Sequence, residues 1–365
     1  MTDQQLPMSA LVDPAILAGW GRSPEAVETA VSVLGAPLAY HLLNDRIKNA
    51  SQLELLRSTA FVRALGNRKR LGRGIALCAE LEASGLSCLP IKGLANASSL
   101  WPQPELRPCG DIDLLIRPQD FDSVMQWFSD RGFRFVVKPF VRGTTVAERL
   151  LMVAKVLLVR RGGAYFSIVA PDNKIAIDLH THVESNPVPE VLQTEEVFAA
   201  ARLCATPGGA LRTPAPHHAF MIAALHAHRS YYDACEVKSV LDALLLLRRY
   251  PAEIVSTVPD LARKGGMSRR VGFFVELIRT LAKEDVPEGL PDPPSTVDRG
   301  TLREAVANVT LAAVRRRSAA GCMSQIVQQD FVLTDSWSDY ARLYLGRLGK
   351  PRRTPWEAEL ARRPQ

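Results

Sequence analysis

The sequence predicts an α+β protein: a compact α/β centre between two helical regions. Three observations carry that prediction. Apolar residues recur three and four apart over residues 1–85 and again after Pro187, the period of a helix that buries one face. Between them the pattern shifts to short apolar runs bounded by Gly and Pro, which is strand punctuation. Third, 365 residues suit about two domains or three modules, and 47% hydrophobic with 23% charged residues is an ordinary globular composition. The expected division is 1–85 helical, 86–186 α/β core and 187–365 helical with a basic tail.

In the first region Ala15–Trp20, Ala26–Leu34 and Leu38–Ile47 carry the helical period, and Leu53–Leu81 continues it. Ser23-Pro24-Glu25 reads as a helix start, with a capping hydroxyl, a proline in the first turn and an acid beside it. The pattern changes at Gly85. Leu86–Gly93 reads as a strand, Leu94–Trp101 as two helical turns, and Pro102–Gly110, with three prolines, as a loop. Asp111–Ile116 is a second strand. Pro118 opens a helix that Gly132 ends, and Phe133–Val137 is a third strand. Thr144–Arg161 favours helix. Tyr165–Val169 and Lys174–Val183 read as an antiparallel hairpin turned at residues 171–173. Beyond Pro187 the clearest helices are Pro216–His228, Cys235–Arg249 and Arg270–Lys283, with Pro287–Pro294 as a loop. The Leu/Val-rich run Val237–Leu247 is core.

Several classes of function fall away. The longest apolar runs, such as Ala219–Leu225, stop far short of the ~20 residues a bilayer needs. The first residues lack a basic and then apolar leader, so cytoplasmic residence is the expectation. Six cysteines (78, 88, 109, 204, 235 and 322) stand singly without a C-x-x-C pair, which reads as buried thiols rather than a zinc ribbon or a disulfide framework. The net charge of +7 is concentrated at the end: residues 341–365 hold seven Lys/Arg against Glu357 and Glu359. Such a tail is a solvated end or a polyanion contact. The runs Arg160-Arg161 and Arg315–Arg317 read the same way.

Chemistry concentrates in the centre. Asp111 and Asp113 are two apart, so a strand sets both on one face, with Cα atoms ~6.5–7 Å apart and Ile112 and Leu114 on the other face. Two ionised carboxylates that close repel, and a divalent cation with hard oxygen ligands resolves the conflict. Asp178 ends a further apolar strand. If the two strands are neighbours, three carboxylates converge, enough for two metals ~3.5–4 Å apart. Asp178 can then also accept a proton from an attacking group. Alternatives stay open at this point. Asp111 can simply cap a turn after Gly110, and Asp178, His180 and His182 form an Asp-x-His-x-His pattern suited to Zn²⁺ or Mn²⁺. Among His217, His218, His226 and His228, packing or capping roles are the default. His226 is the one to watch if its helix roofs the site.

The run Ile91-Lys92-Gly93, Trp101-Pro102, Leu106-Arg107-Pro108, Gly110–Leu115, Asp178-Leu179-His180 and Leu225-His226 resembles the DNA polymerase β-like nucleotidyltransferase superfamily. Within it the run is similar to the family labelled "uncharacterised nucleotidyltransferase", over roughly residues 86–247. The resemblance implies a small mixed β-sheet core flanked by N- and C-terminal helical regions. It also implies Mg²⁺- or Mn²⁺-dependent transfer of an NMP from an NTP to an acceptor hydroxyl or phosphate, with release of pyrophosphate. Carried over by position, Asp111, Asp113 and Asp178 hold the metal and Gly93 lets the backbone approach the triphosphate. The superfamily's Gly-Ser after the first strand is replaced by Lys92-Gly93-Leu94. Lys92 or Arg107 then supplies the positive charge, His180 orients Asp178 or a phosphate, and His226 is a candidate nucleotide contact. The acceptor is open: a small molecule, a peptide or a sugar phosphate, or RNA through the basic tail. The alternatives are a degenerate nucleotide- or peptide-binding regulatory protein, or a kinase-like phosphoryl-transferring variant.

Overall fold

In the computed structural model, the described residues are 12–136, 166–172, 175–183, 192–230, 236–282, 286–293, 299–310 and 335. Three helices open the chain: α1 (Pro14–Trp20), α2 (Pro24–Leu34) and α3 (Ala36–Leu43). The Ser23 hydroxyl accepts the Ala26 amide and Pro24 fills the first turn of α2, as the start signal predicts. A 34-residue helix, α4 (Ala50–Ala83), follows, capped by Asn49.

The centre is a five-stranded mixed sheet. Its strands are β1 (Cys88–Ile91), β2 (Ile112–Ile116), β3 (Arg134–Val136), β4 (Phe166–Val169) and β5 (Ala176–His180), in the order β1-β2-β5-β4-β3. Only β2 and β5 run parallel. The expected hairpin is present as antiparallel β4 and β5. The sheet is flanked by helices on both sides, so the predicted α+β architecture is observed.

Both faces of the sheet are buried, by different partners. Ile112, Leu114, Ile168 and Ile177 pack under α4 and α6 (Phe121–Asp130), where Val124 and Phe128 are fully buried. On the opposite face Leu89, Ile91 and Leu115 join a core shared by α1–α3 and the C-terminal helices. Those helices are α8 (Pro216–Arg229), α9 (Val237–Arg249), α10 (Pro251–Lys264) and α11 (Ser268–Leu281), preceded by the short α7 (Thr194–Ala199) and followed by α12 (Arg299–Val309). The acid-bearing face of β2 is therefore the face turned toward the C-terminal helices.

Several boundaries depart from the sequence reading. β1 ends at Ile91, and α5 (Lys92–Ser99) begins at once, so Lys92 and Gly93 belong to a helix rather than a strand. Asp111 precedes β2 instead of opening it. A second hairpin, β6 (Arg202–Thr206) with β7 (Gly209–Thr213), lies in the region expected to be helical. Its strands carry little apolar alternation because β6 is largely exposed and mainly Leu211 and Thr213 are buried. Helix α10 keeps Pro259 in its interior, which broke the sequence signal there. The readings at Thr144–Arg161, Arg315–Arg317, residues 341–365, Cys235 and Cys322 fall outside the described residues. Among the described residues no helix is long and apolar enough to cross a membrane.

Candidate active site

The strand registers assemble the site. In the parallel pair, Asp113 stands directly opposite Asp178, so both side chains leave the same face of the sheet. On the other side of β2, Asp113 pairs with Ile91, the last residue of β1. The next residue, Lys92, thus arrives beside the carboxylate. Its ammonium donates to Asp113 Oδ1 at 2.8 Å, and His180 Nε2 lies 2.9 Å from the same oxygen. The strand period explains His180: it is two residues beyond Asp178 and shares its face.

Lys92 and Asp113 border an open cleft between the sheet edge and the C-terminal helices. Lys92, Gly93, Asp111 and Asp113 form one wall; His226 of α8 and Glu236, just before α9, stand on the other. Asp111 is at the exposed mouth and Asp113 is buried at the floor. Asp178 lies in the sheet beside Asp113, where the Ser167 hydroxyl donates to its Oδ1 at 2.8 Å. It is not among the residues lining the cleft.

Burial alone would push the Asp113 carboxyl up. The charge of Lys92 and the hydrogen bonds from His180 and Lys92 outweigh that and hold it well below the usual carboxylate range. Asp113 is therefore an anion at any physiological pH. Cys109, also on the cleft wall, goes the other way: burial pushes its thiol up to about 11, so it is no nucleophile at neutral pH.

The backbone at the β1–α5 junction is unusual. Lys92 has φ +53°, the one non-glycine in the left-handed region among the described residues. For a side-chain-bearing residue this costs roughly 1–2 kcal/mol. Gly93 follows under tight constraint. A Cβ there would lie 2.9 Å from Cys109 Sγ and 3.2 Å from Arg107 Nη1, so any side chain at this position would have to push the buried Cys109 aside.

Arg107 itself is buried in a network that sequence reasoning did not find. Its Nε and Nη2 donate to the two oxygens of Asp242 in α9, at 2.9 and 2.7 Å. Trp101 Nε1 and Asn96 Nδ2 donate to the same carboxylate at 2.7 and 2.8 Å. Thus two of the motif residues, Trp101 and Arg107, converge on Asp242, while Arg107 Nη1 stays beside Gly93 on the cleft. The available signal was a single acid in the Leu/Val-rich run of α9, which reads as core. Glu236 was also missed. It is buried, receives the Ser239 hydroxyl at 2.6 Å and faces His226 at 3.6 Å. Burial pushes its carboxyl up, but the His226 charge and the Ser239 hydrogen bond bring it below its ordinary value.

Among the described residues no three His, Cys, Asp or Glu side chains converge as a preformed metal centre. The Asp-x-His-x-His alternative is not assembled, because β5 ends at His180 and His182 turns to the Thr181 hydroxyl instead. What the cleft does offer is two oxygen-donor residues, Asp111 and Asp113, one at the mouth and one on the floor. That donor set fits Mg²⁺, which commonly takes one or two carboxylates and completes its shell with water and substrate phosphates.

A small mixed sheet that delivers paired acids, a lysine and a closely packed glycine to one cleft suits a phosphate-handling transferase. The chain belongs to the uncharacterised nucleotidyltransferase family, whose family model matches residues 30–283. At the general level this makes it a transferase of the nucleotidyl class. The match is wider than the 86–247 span in which the sequence motifs lie, and takes in α3, α4, α10 and α11. A comparison with curated proteins finds no match.

Proposed function

We propose that the cleft is the active site of a Mg²⁺-dependent nucleotidyltransferase. An acceptor hydroxyl or phosphate attacks the α-phosphorus of an NTP, the bond to the β-phosphate breaks, and pyrophosphate leaves. The observation that carries this reading is the placement of Asp111, Asp113, Lys92 and Gly93 on one wall of one cleft, with Asp178 in register beside Asp113.

Each residue has a task in this reading. Asp111 and Asp113 would be the oxygen ligands for Mg²⁺ or Mn²⁺, with Asp178 behind them in the sheet. The ion supplies positive charge to the triphosphate as negative charge moves onto the leaving group. Gly93 lets the start of α5 approach the phosphates without a side chain between. Lys92 contributes a mobile positive charge to them, and Arg107, clamped by Asp242, a fixed one. His180 holds the Asp113 carboxylate in place. Asp178, opposite Asp113 in the parallel pair, stands behind the cleft wall as part of the acid face. The opposite wall, with His226, receives the base or the acceptor.

Thermal unfolding with ATP, GTP, CTP or UTP, with and without Mg²⁺, tests the reading, together with pyrophosphate release. A nucleotide at about 100 times its Kd stabilises the fold by ~2.7 kcal/mol. At least one NTP is expected to do so with Mg²⁺. Asp111→Asn is expected to keep the fold and lose turnover by about 100-fold or more. Unchanged turnover in Asp111→Asn overturns the reading. A second reading, a nucleotide- or peptide-binding regulatory protein, is favoured by the Lys92–Asp113 bond and by the absence of the superfamily's Gly-Ser. Its signature is stabilisation by nucleotide without any release of pyrophosphate or of inorganic γ-phosphate.

A further inference from the structure

We infer that Lys92 is a resident cation for the metal carboxylate: it holds Asp113 until a triphosphate draws it away, so the dication enters with the nucleotide and not before it. This rests on the nucleotidyltransferase reading of the cleft.

Four observations combine. The Lys92 ammonium is 2.8 Å from Asp113 Oδ1, and its side chain is only 9% exposed, so solvent screens the pair little. His180 takes the same oxygen at 2.9 Å, which leaves Asp113 a partner when Lys92 departs. The Lys92 backbone is held in the left-handed region, where a glycine would be at ease. A lysine kept at such a position points to a requirement for its side chain. Finally, Lys92 precedes Gly93, the point at which the wall carries no side chain and a phosphate can approach the backbone.

The electrostatic consequence is direct. An ammonium and a dication cannot share one carboxylate oxygen without strong repulsion at this separation. Free Mg²⁺ on that oxygen must displace Lys92 with nothing to receive it, and on the other oxygen of the same carboxylate it still meets the ammonium's repulsion. A triphosphate changes the balance, because a lysine is a compact point charge on a flexible stem that rotates from carboxylate to phosphate oxygen without backbone motion. Metal and nucleotide are then positively coupled, and Lys92 is the coupling element.

Mn²⁺ binding to the full chain, read by electron paramagnetic resonance, tests this without reference to turnover. In the wild type, a non-hydrolysable NTP analogue is expected to tighten Mn²⁺ at least about tenfold. Lys92→Gly suits the left-handed backbone, and Lys92→Gln keeps most of the length and a hydrogen-bond donor without the charge. Both are expected to bind Mn²⁺ at least about tenfold more tightly than the wild type without nucleotide, and to bind the analogue more weakly. Equal Mn²⁺ affinity in the wild type and both variants without nucleotide overturns the inference. Asp113→Asn separates the two levels. If it abolishes analogue-dependent Mn²⁺ binding while the Lys92 variants change nothing, the cleft reading stands and the resident-cation role falls. If Asp113→Asn leaves that binding intact, both fall.

Discussion

Asp113 shows how much one carboxylate depends on its neighbours. That Asp111 and Asp113 belong to one site was legible in their spacing, although Asp111 lies just before β2 and reaches the cleft from the loop rather than from the strand. The lysine bond was not, because it depends on the chain turning directly from β1 into α5 at a left-handed residue. His218 gives a separate prediction at this scale. It is buried in α8 against the His217 ring, with centroids 4.2 Å apart, and its Nδ1 has no hydrogen-bond partner among the described residues. Burial, then the neighbouring His217, pulls its pKa down to about 4 from an ordinary 6.5. Because the folded value is the lower one, the unfolded chain binds the extra proton first. Stability is full above pH 6.5 and is lost as pH falls toward 4, by an amount on the order of 1–3 kcal/mol. Urea midpoints at pH 7 and pH 5 check this. His218→Phe is expected to flatten the difference, and an unchanged slope in that variant refutes the assignment.

At the scale of elements, the Arg107–Asp242 pair fastens α9 to α5 and the proline loop. The sequence marked Arg107, with Lys92, as a source of positive charge for a triphosphate in place of the missing Ser. The fold also brings it a carboxylate from 135 residues away, a partner that no local pattern reveals. Removing one member leaves the other charged and buried. Asp242→Ala is therefore expected to cost about 3–5 kcal/mol in chemical unfolding, and Arg107→Met with Asp242→Leu together much less than the sum of the two single changes. Additive losses in that cycle contradict the paired account. Helix α11 offers a steric counterpart. A Cβ on Gly272 would lie 2.1 Å from the Asp292 carbonyl oxygen, a backbone atom that cannot rotate aside. Gly272→Ala is expected to destabilise by about 3 kcal/mol, measured as a lower denaturant midpoint with unchanged slope. The β6–β7 hairpin was the element hardest to read, since an exposed ribbon with few inward apolar residues carries neither the helical nor the strand period.

Across the whole molecule, the two faces of the sheet explain why the centre could be recognised and its surroundings only sketched. One face is closed by α4 and α6, which lie near it in sequence. The other is closed by helices from both ends of the chain, and the cleft forms where those helices meet the acid face. Helical periods could be found at both ends, but not that they share one core. The family match from residue 30 to residue 283 covers that joint unit rather than the sheet alone. Function thus depends on the cleft acting as one site with two walls. The most direct measurement is a crystal structure with a non-hydrolysable NTP and Mn²⁺, using the anomalous signal of the ion. The account predicts Mn²⁺ on Asp111 and Asp113, the triphosphate along Gly93, and Lys92 moved from Asp113 to a phosphate oxygen. A nucleotide bound elsewhere, or Mn²⁺ away from both aspartates, would contradict it.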